Sequence, residues 1–579
     1  MKKLIWIFVF GVFGLCLLPG VSAAQGKQAN SRLKSALTRE YVYPVRIVWQ
    51  QGQVTGAGQL LKPGIGQASL NNSSVVVLKN AGKDTASILL DFGREMNGAL
   101  EIITGMWPAP NGPRKVRIRF GESVSEAMAA LGAHGSTNDH AIRDFNLMMP
   151  WLGKVQSGES GFRFVRIDLL DVNAEAQLKE VRVISTYRDI PYLGSFKSSN
   201  ERLNKIWEVG AYTVHLNMQD YLWDGIKRDR LVWVGDLHPE VSTVNTVFGY
   251  NEVVPRSLDL ARNTTPLPGW MSGISTYSMW WIIIQYDWYL HHGDLRYLKE
   301  QQSYLQGLLK QIMSKVVDGN EQMDGNRFLD WPSSKDSAAI HAGLQAMTIW
   351  SLERGADLSA ILGDMEMAKR CRETVAKMRK IIPPHQNSKQ AAALLSLVGM
   401  MDADKAYTDV LSVGGAKGFS TFYGYYMLEA MARAGKYKEA MDIISEYWGG
   451  MLDLGATTFW EDFNMDWMKN AARIDALVPA GKTDVHAAYG DYCYVGHRHS
   501  FCHGWASGPT VWLSEHVLGL KAVEPGGKVF RLKPNLGDLS FAEGTFPTTL
   551  GVIRVKHTKD KTGKVVSTVQ APKGIRILR

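Results

Sequence analysis

"SSNERLNKIWEVGAYTVHLNMQ" (Ser198–Gln219) is where the chain changes its hydrophobic period. Serines precede it as a cap, Glu201 follows closely, and Leu203, Trp207, Gly210 and Val214 recur at helical spacing. That combination marks the start of a helix. From here to about Gly519 helical segments dominate, among them "YSMWWIIIQYDWYLHHG" (Tyr277–Gly293), "AAIHAGLQAMTIWSLERGA" (Ala338–Ala356) and "YKEAMDIISEYWGGML" (Tyr437–Leu452). Roughly ten to twelve of them follow one another without the fixed period of a TPR or HEAT array. So many paired helices suit a closed α/α toroid.

On either side the period shortens. Residues 40–195 hold β-branched runs such as "SSVVVLKN" (Ser73–Asn80), "GALEIITG" (Gly98–Gly105), "RKVRIRFGES" (Arg114–Ser123) and "GFRFVRIDLLD" (Gly161–Asp171), separated by Gly, Asn, Asp and Pro turns. They read as a β-sandwich accessory domain, with nothing catalytic in it. After about Lys521, "FRLKPNLGDLSFAEGTFPTTLGVIRVKH" (Phe530–His557) returns to strands. The expected fold is a multidomain α+β chain. An (α/α)6 toroid over 198–519 is flanked by the sandwich at 40–195 and a small C-terminal β domain at 520–579.

With 45% hydrophobic and 21% charged residues over 579, the composition is that of a soluble globular protein. The formal charge of +9 is not gathered into a basic run, so no nucleic-acid partner is expected. "MKK", the apolar "LIWIFVFGVFGLCLLPG" and "VSA" (Val21–Ala23) make residues 1–24 a signal peptide. The chain is then exported, periplasmic or extracellular, with no stable membrane insertion after cleavage. Leu15 before Cys16 argues against a lipoprotein. The three remaining cysteines, Cys371, Cys493 and Cys502, form no disulfide framework, and Cys493 with Cys502 is the local candidate for a single bridge.

Acids and aromatics gather in loops of the helical region: "GIKRDRLVWVGDLHPE" (Gly225–Glu240), "FLDWPSS" (Phe328–Ser334), "GATTFWEDFN" (Gly455–Asn464) and "GHRHSFCHGWASGP" (Gly496–Pro509). An aromatic face flanked by carboxylates suits a sugar ring, whose C–H face stacks while its hydroxyls hydrogen-bond. Cleaving a glycosidic bond takes two carboxyl groups, and Asp229, Asp236, Glu240, Asp330, Glu461 and Asp462 are the candidates. Plainer readings stand beside these. Arg228, Asp229 and Arg230 could be a solvated ion-pair cluster, and Trp331 and Trp460 core aromatics. His497, His499, Cys502 and His503 lack tetrahedral zinc spacing, so neither metal nor cofactor is expected.

With these loops assembled, the chain resembles the bacterial α-L-rhamnosidases of glycoside hydrolase family 78 over most of its length. "LLDFGREMNGALEI", "VRIRFGES", the Asp330-Trp331 pair, "GATTFWE" and "SFCHGWASGP…LSEHVLGL" carry the resemblance. It implies an (α/α)6 barrel between β domains, inversion of configuration and no cofactor. The family's D-C-P-Q-R-D-E-R-L-G-W-T-G-D loop falls on Asp224 to Asp236, with Arg230, Trp233 and Asp236 matched. Asp229 stands where the family has its general-acid Glu, Lys227-Arg228 replaces Arg-Asp, and Cys-Pro-Gln is absent. Glu240 is the alternative acid. If Asp229 is the acid, Arg228 and Arg230 are expected to point elsewhere. Glu461 matches the carboxylate that activates water. His503 matches a sugar- or water-orienting contact, and Asp330, Trp331 and Trp460 match the sugar loops. The expectation is an exported inverting exo-glycosidase that removes terminal α-L-rhamnose from an oligosaccharide or polysaccharide. Its rivals are another hydrolase or lyase acting on an acidic oligosaccharide, and a non-catalytic glycan-binding protein.

Overall fold

Six helices close a ring in the computed structural model, which describes residues 35–579 apart from 72, 83 and 493. The segment read as a signal peptide lies outside the described residues, as does Cys493. Val234–Val247, Ser275–His292, Ser337–Ile361, Lys389–Leu397, Gly424–Arg433 and Gly508–Trp512 each pack on the next, and the last packs on the first. Five helices lie outside them, Glu201–Asn217, Val253–Thr264, Leu295–Ser314, Met365–Met378 and Tyr437–Asp453, and the short helical turns Ala403–Lys405 and Ala406–Leu411 complete the outer layer. This is the expected (α/α)6 toroid.

Sequence pattern sorts the two layers. Ser275–His292 is apolar nearly all round, and Trp280, Trp281, Ile282, Ile283 and Ile284 are fully buried. A helix with that pattern belongs inside. Leu295–Ser314 carries one stripe, Leu298, Leu305, Leu308, Leu309 and Ile312, with Lys299, Glu300 and Lys310 exposed opposite. The first barrel helix is capped by Asn200, whose side chain accepts the N–H groups of Arg202 and Leu203. The cap is therefore an asparagine, not the expected serine.

The N-terminal strands join into one nine-stranded sheet, and the long strands Ser87–Thr104 and Lys154–Leu169 shift register between Asp91/Met96 and Ala99/Glu101. Extra residues of this kind bend a strand, and the sheet curves around a core containing Leu90, Leu100, Val116, Phe162 and Val181. The sheet also meets the barrel loops. Asn97 Nδ2 donates to Gln219 Oε1 at 3.3 Å, and the Glu95 N–H donates to Thr457 Oγ1 at 2.9 Å.

The C-terminal sheet Phe541–Thr548, Gly551–Lys559 and Val565–Gln570 takes Ser195–Ser198 as its edge strand. The last strand before the barrel therefore belongs to the last domain, which ties both ends of the barrel together. Among the described residues no helix is long and apolar enough to cross a membrane.

Candidate active site

Four loops converge at one end of the ring, and backbone hydrogen bonds lock three of them together. Gly225 and His503 form an antiparallel bridge. The Gly504 N–H donates to the Asp224 carbonyl at 2.8 Å, and the Glu461 N–H to the Ser500 carbonyl at 3.0 Å. Asp224 and Leu231 close their own turn, with Asp224 Oδ1 accepting the Leu231 N–H at 2.9 Å. The loop then enters helix Val234–Val247, and Gly235 lies so close to Tyr277 that a Cβ there would come within 2.3 Å of the ring. This approach places Asp236 in the first helical turn.

The loops enclose a cavity of about 270 Å³. Its carboxyl groups are Asp224, Asp229, Asp236 and Glu461, and its aromatic walls include Trp233, Tyr277, Trp331 and Trp505. His503 stands among the acids. Its Nε2 lies 3.6 Å from Glu461 Oε1, 3.7 Å from Asp236 Oδ1 and 3.7 Å from Asp224 Oδ2.

The four carboxyl groups fall into two kinds. Arg228 donates to Asp229 Oδ1 at 2.8 Å and also to Glu461 Oε2, so one guanidinium bridges two acids. The same guanidinium lies 3.7 Å over the Tyr494 ring. Asp229 further accepts from Trp233 Nε1 at 3.1 Å. Neither Asp224 nor Asp236 accepts from an arginine or lysine in the hydrogen bonds of the described residues. Burial pushes both carboxyls well above the usual carboxylate range, with Asp236 adding to the push on Asp224 and Glu461 to that on Asp236.

The structure brings Asp224, Asp229, Trp233, Asp236, Trp331, Glu461 and His503 together around the cavity. The other expected site residues stand elsewhere. Glu240 is wholly buried behind Gly504, where it accepts from Asn217 Nδ2 at 3.0 Å and does not line the cavity. It shares a helix face with Asp236 but sits one turn further along the axis, past the loops. Arg230 takes a left-handed conformation (φ 62°) that turns it towards the β domain. There it lies over Trp223 and donates to the Glu159 carbonyl at 3.1 Å. Arg228, by contrast, does not point away from Asp229 as expected. Trp460 is a core aromatic stacked on Phe501 at 4.0 Å. The Asp330 carboxylate is held by Ser333, Gln390 and Ser420 in a tight recess beside the cavity, which it shares with Asp462.

The histidine-rich stretch disperses its side chains. His497 Nε2 meets Ser125 Oγ, the Asp462 N–H donates to His499 Nε2, and the buried Cys502 thiol is free and lies near Asn217. His499 is kept neutral, since burial drives it down to about 3. An imidazole depressed on folding adds stability that is complete above its unfolded value, near 6.5, and is lost as pH falls towards the folded one. Replacing His499 by Gln retains an acceptor for Asp462. The difference in thermal midpoint between wild type and this variant should therefore shrink as pH is lowered from about 6.5 towards 3. A constant difference would mean that His499 does not titrate this way.

Sequence reasoning missed the contribution of the β domain. His140 Nε2 lies 3.2 Å from Asp229 Oδ1. Glu122 Oε2 accepts the Phe501 N–H at 2.6 Å and pairs with Lys227 Nζ at 2.9 Å. Lys227 also donates to the carbonyls of His497 and His499. One buried ion pair thus fastens the Asp229 loop to the His503 loop. The nearby grouping of Glu122, Glu126 and His486 has metal-like spacing, but the Lys227 ammonium already stands 2.9 and 3.4 Å from its carboxylates. Lys227→Met leaves Glu122 buried without its cation and should cost about 3–5 kcal/mol, read as a lower denaturant midpoint. The double change Lys227→Met/Glu122→Leu should recover most of that loss, and no recovery would sink the pairing argument.

Two family profiles match consecutive segments. One, described as the bacterial alpha-L-rhamnosidase 6 hairpin glycosidase domain, matches residues 191–517, and the other, the bacterial alpha-L-rhamnosidase C-terminal domain, matches 519–577. An alpha-L-rhamnosidase of Alteromonas sp. (strain LOR) is 24% identical over 571 residues, covering 88% of this chain and 57% of its own. The crystal structure of a GH78 family rhamnosidase of Bacillus sp. GL1 superposes with a TM-score of 0.72 at 22% identity, over 88% of this chain and 55% of its own. A rhamnosidase from Klebsiella oxytoca with rhamnose bound superposes at 0.64 with 18% identity, over 83% of this chain and 96% of its own. The chain therefore spans little more than half the length of the Alteromonas and Bacillus proteins.

Proposed function

Because the chain belongs to the bacterial α-L-rhamnosidase family of six-hairpin glycosidases, we propose that it is an inverting exo-glycosidase that removes terminal α-L-rhamnosyl residues from glycans. The observation that carries this reading is the aromatic cavity of about 270 Å³ on whose wall four carboxyl groups, Asp224, Asp229, Asp236 and Glu461, gather around His503. Export is part of the proposal and rests on the sequence of residues 1–24.

Glu461 takes a proton from a water molecule, whose oxygen attacks the anomeric carbon. Asp229 gives a proton to the glycosidic oxygen as its bond to that carbon breaks. The net reaction adds water, and the new C–O bond forms on the face opposite the old one. This outcome needs room for a water on the face of the sugar opposite the leaving oxygen. His140 Nε2 stands 3.2 Å from Asp229 Oδ1, within hydrogen-bonding reach of the proposed acid. Asp224 and Asp236, whose carboxyls burial pushes towards the protonated form, can hydrogen-bond sugar hydroxyls, while Trp331 and Trp505 offer faces for the ring. A cavity of about 270 Å³ suits a single terminal sugar.

One observation favours a second assignment of the acid. Asp236 is buried in the cavity wall without a cation, the environment that holds a carboxyl protonated.

The test is release of L-rhamnose from an aryl α-L-rhamnoside, followed by NMR of the first-formed sugar. The expected product is the β-anomer. Initial α-anomer would rule out inversion. An unsaturated product released from an acidic oligosaccharide would favour a lyase, and saturable binding without turnover a glycan-binding protein.

A further inference from the structure

A second and larger cavity, about 720 Å³, lies at the other end of the barrel. The inner helices establish its position. On Val234–Val247, Asp236 faces the candidate active site, while His238 and Ser242 line the second cavity. On Ser275–His292, Tyr277 faces the first and Tyr286, Asp287 and Leu290 the second. Between them Trp280 is fully buried, stacked with His238 at 4.7 Å and Tyr426 at 5.0 Å. The two cavities share the barrel but not their residues.

Its surfaces divide by chemistry. Each of the four acids that line it is already matched. Asp287 pairs with His238 at 3.0 Å, Glu353 with Arg379 at 2.5 Å, Glu429 with His516 at 2.8 Å, and Glu515 with Lys521 at 2.7 Å. Such groups can still take hydroxyls. Tyr286, Trp350 and Tyr437 are half-buried around it and supply aromatic faces. The rim is basic. Arg433, Arg531 and Lys533 are exposed, and none of them takes part in an ion pair among the described residues. Arg433 donates only to the Leu397 carbonyl, at 2.6 Å. In a separate three-stranded sheet, the antiparallel strands Leu520–Ala522 and Val529–Leu532 pair Lys521 with Arg531, so both project from one face over the barrel end.

We propose that this cavity is a second saccharide site, taking a glycan that bears a uronate carboxylate. Aromatic walls receive the C–H face of a sugar, the floor takes its hydroxyls, and the rim cations bind the carboxylate, Arg433 and Arg531 through planar guanidinium groups. The site is distinct from the candidate active site and does not depend on the activity proposed for that site.

The experiment titrates the full chain with a galacturonate trisaccharide by calorimetry, using a neutral trisaccharide as comparison. Binding of the acidic sugar at one site per chain, weakened by salt, is expected. Arg531→Glu/Lys533→Glu should weaken it at least tenfold with an unchanged thermal midpoint, and saturating L-rhamnose should not compete. If the double variant does not fold, Arg433→Glu on the barrel side of the rim gives the same reading. The proposal is overturned if the acidic sugar does not bind, if the neutral one binds as well, or if charge reversal leaves affinity unchanged. Competition by L-rhamnose would move the binding to the active-site cavity and also overturn it.

Discussion

Glu461→Gln is expected to lower kcat on an aryl α-L-rhamnoside by about 10²–10⁴-fold, the range that one positioned proton-transfer group supplies. The amide keeps the shape of the side chain. Its oxygen can still accept from Arg228, and the neighbouring Ser500 N–H stays within 3.3 Å of the same position. What the amide cannot do is take a proton from water. KM should therefore change little, because the cavity walls are untouched, and the loss should fall on kcat. Turnover close to wild type would remove Glu461 from the mechanism. Loss of thermal stability together with activity would point to Arg228, which would then be buried with one fewer anionic partner.

The second large effect separates the two aspartates by leaving group. An acid catalyst matters most when the departing oxygen is a strong base and least when it is a good leaving group. Asp229→Asn should slow an alkyl α-L-rhamnoside by about 10²–10⁴-fold and a dinitrophenyl one far less. Asp236→Asn, acting through lost contacts to the sugar, should slow both substrates by a similar factor. The reverse pattern would assign the proton to Asp236, whose uncompensated burial already favours it. Equal losses in both variants would mean that neither aspartate alone is the proton donor.

Much of the site was legible because its residues are close in sequence. Trp233 and Asp236 lie three residues apart at the entrance of one helix, and Glu461 closes a short aromatic loop. Misreadings arose where neighbours in sequence diverge in space. Trp460 adjoins Glu461 yet turns into the core against Phe501. Arg228 and Arg230 are two residues apart, but the left-handed turn at Arg230 sends one guanidinium to the acids and the other to the β domain. Tyr277 lies in a stretch read simply as a helix, with no local signal to mark it as a cavity wall, and Trp505 lies in a candidate loop without being singled out from it.

The sequence by itself determined the layers: period-two runs for the flanking sheets, all-round apolar helices for the inner ring and single-striped ones for the outer. These follow from side-chain periodicity, a local property. Only the tertiary structure decided which carboxyls share the cavity and which cations reach them. His140 and Glu122 come from a domain about a hundred or more residues before the loops they touch. Glu240, four residues from Asp236 on the same helix, lies one turn further along the axis and is packed behind Gly504. The charge state of a carboxyl depends on burial and on neighbours brought together by folding, and neither is written in the spacing of residues along the chain.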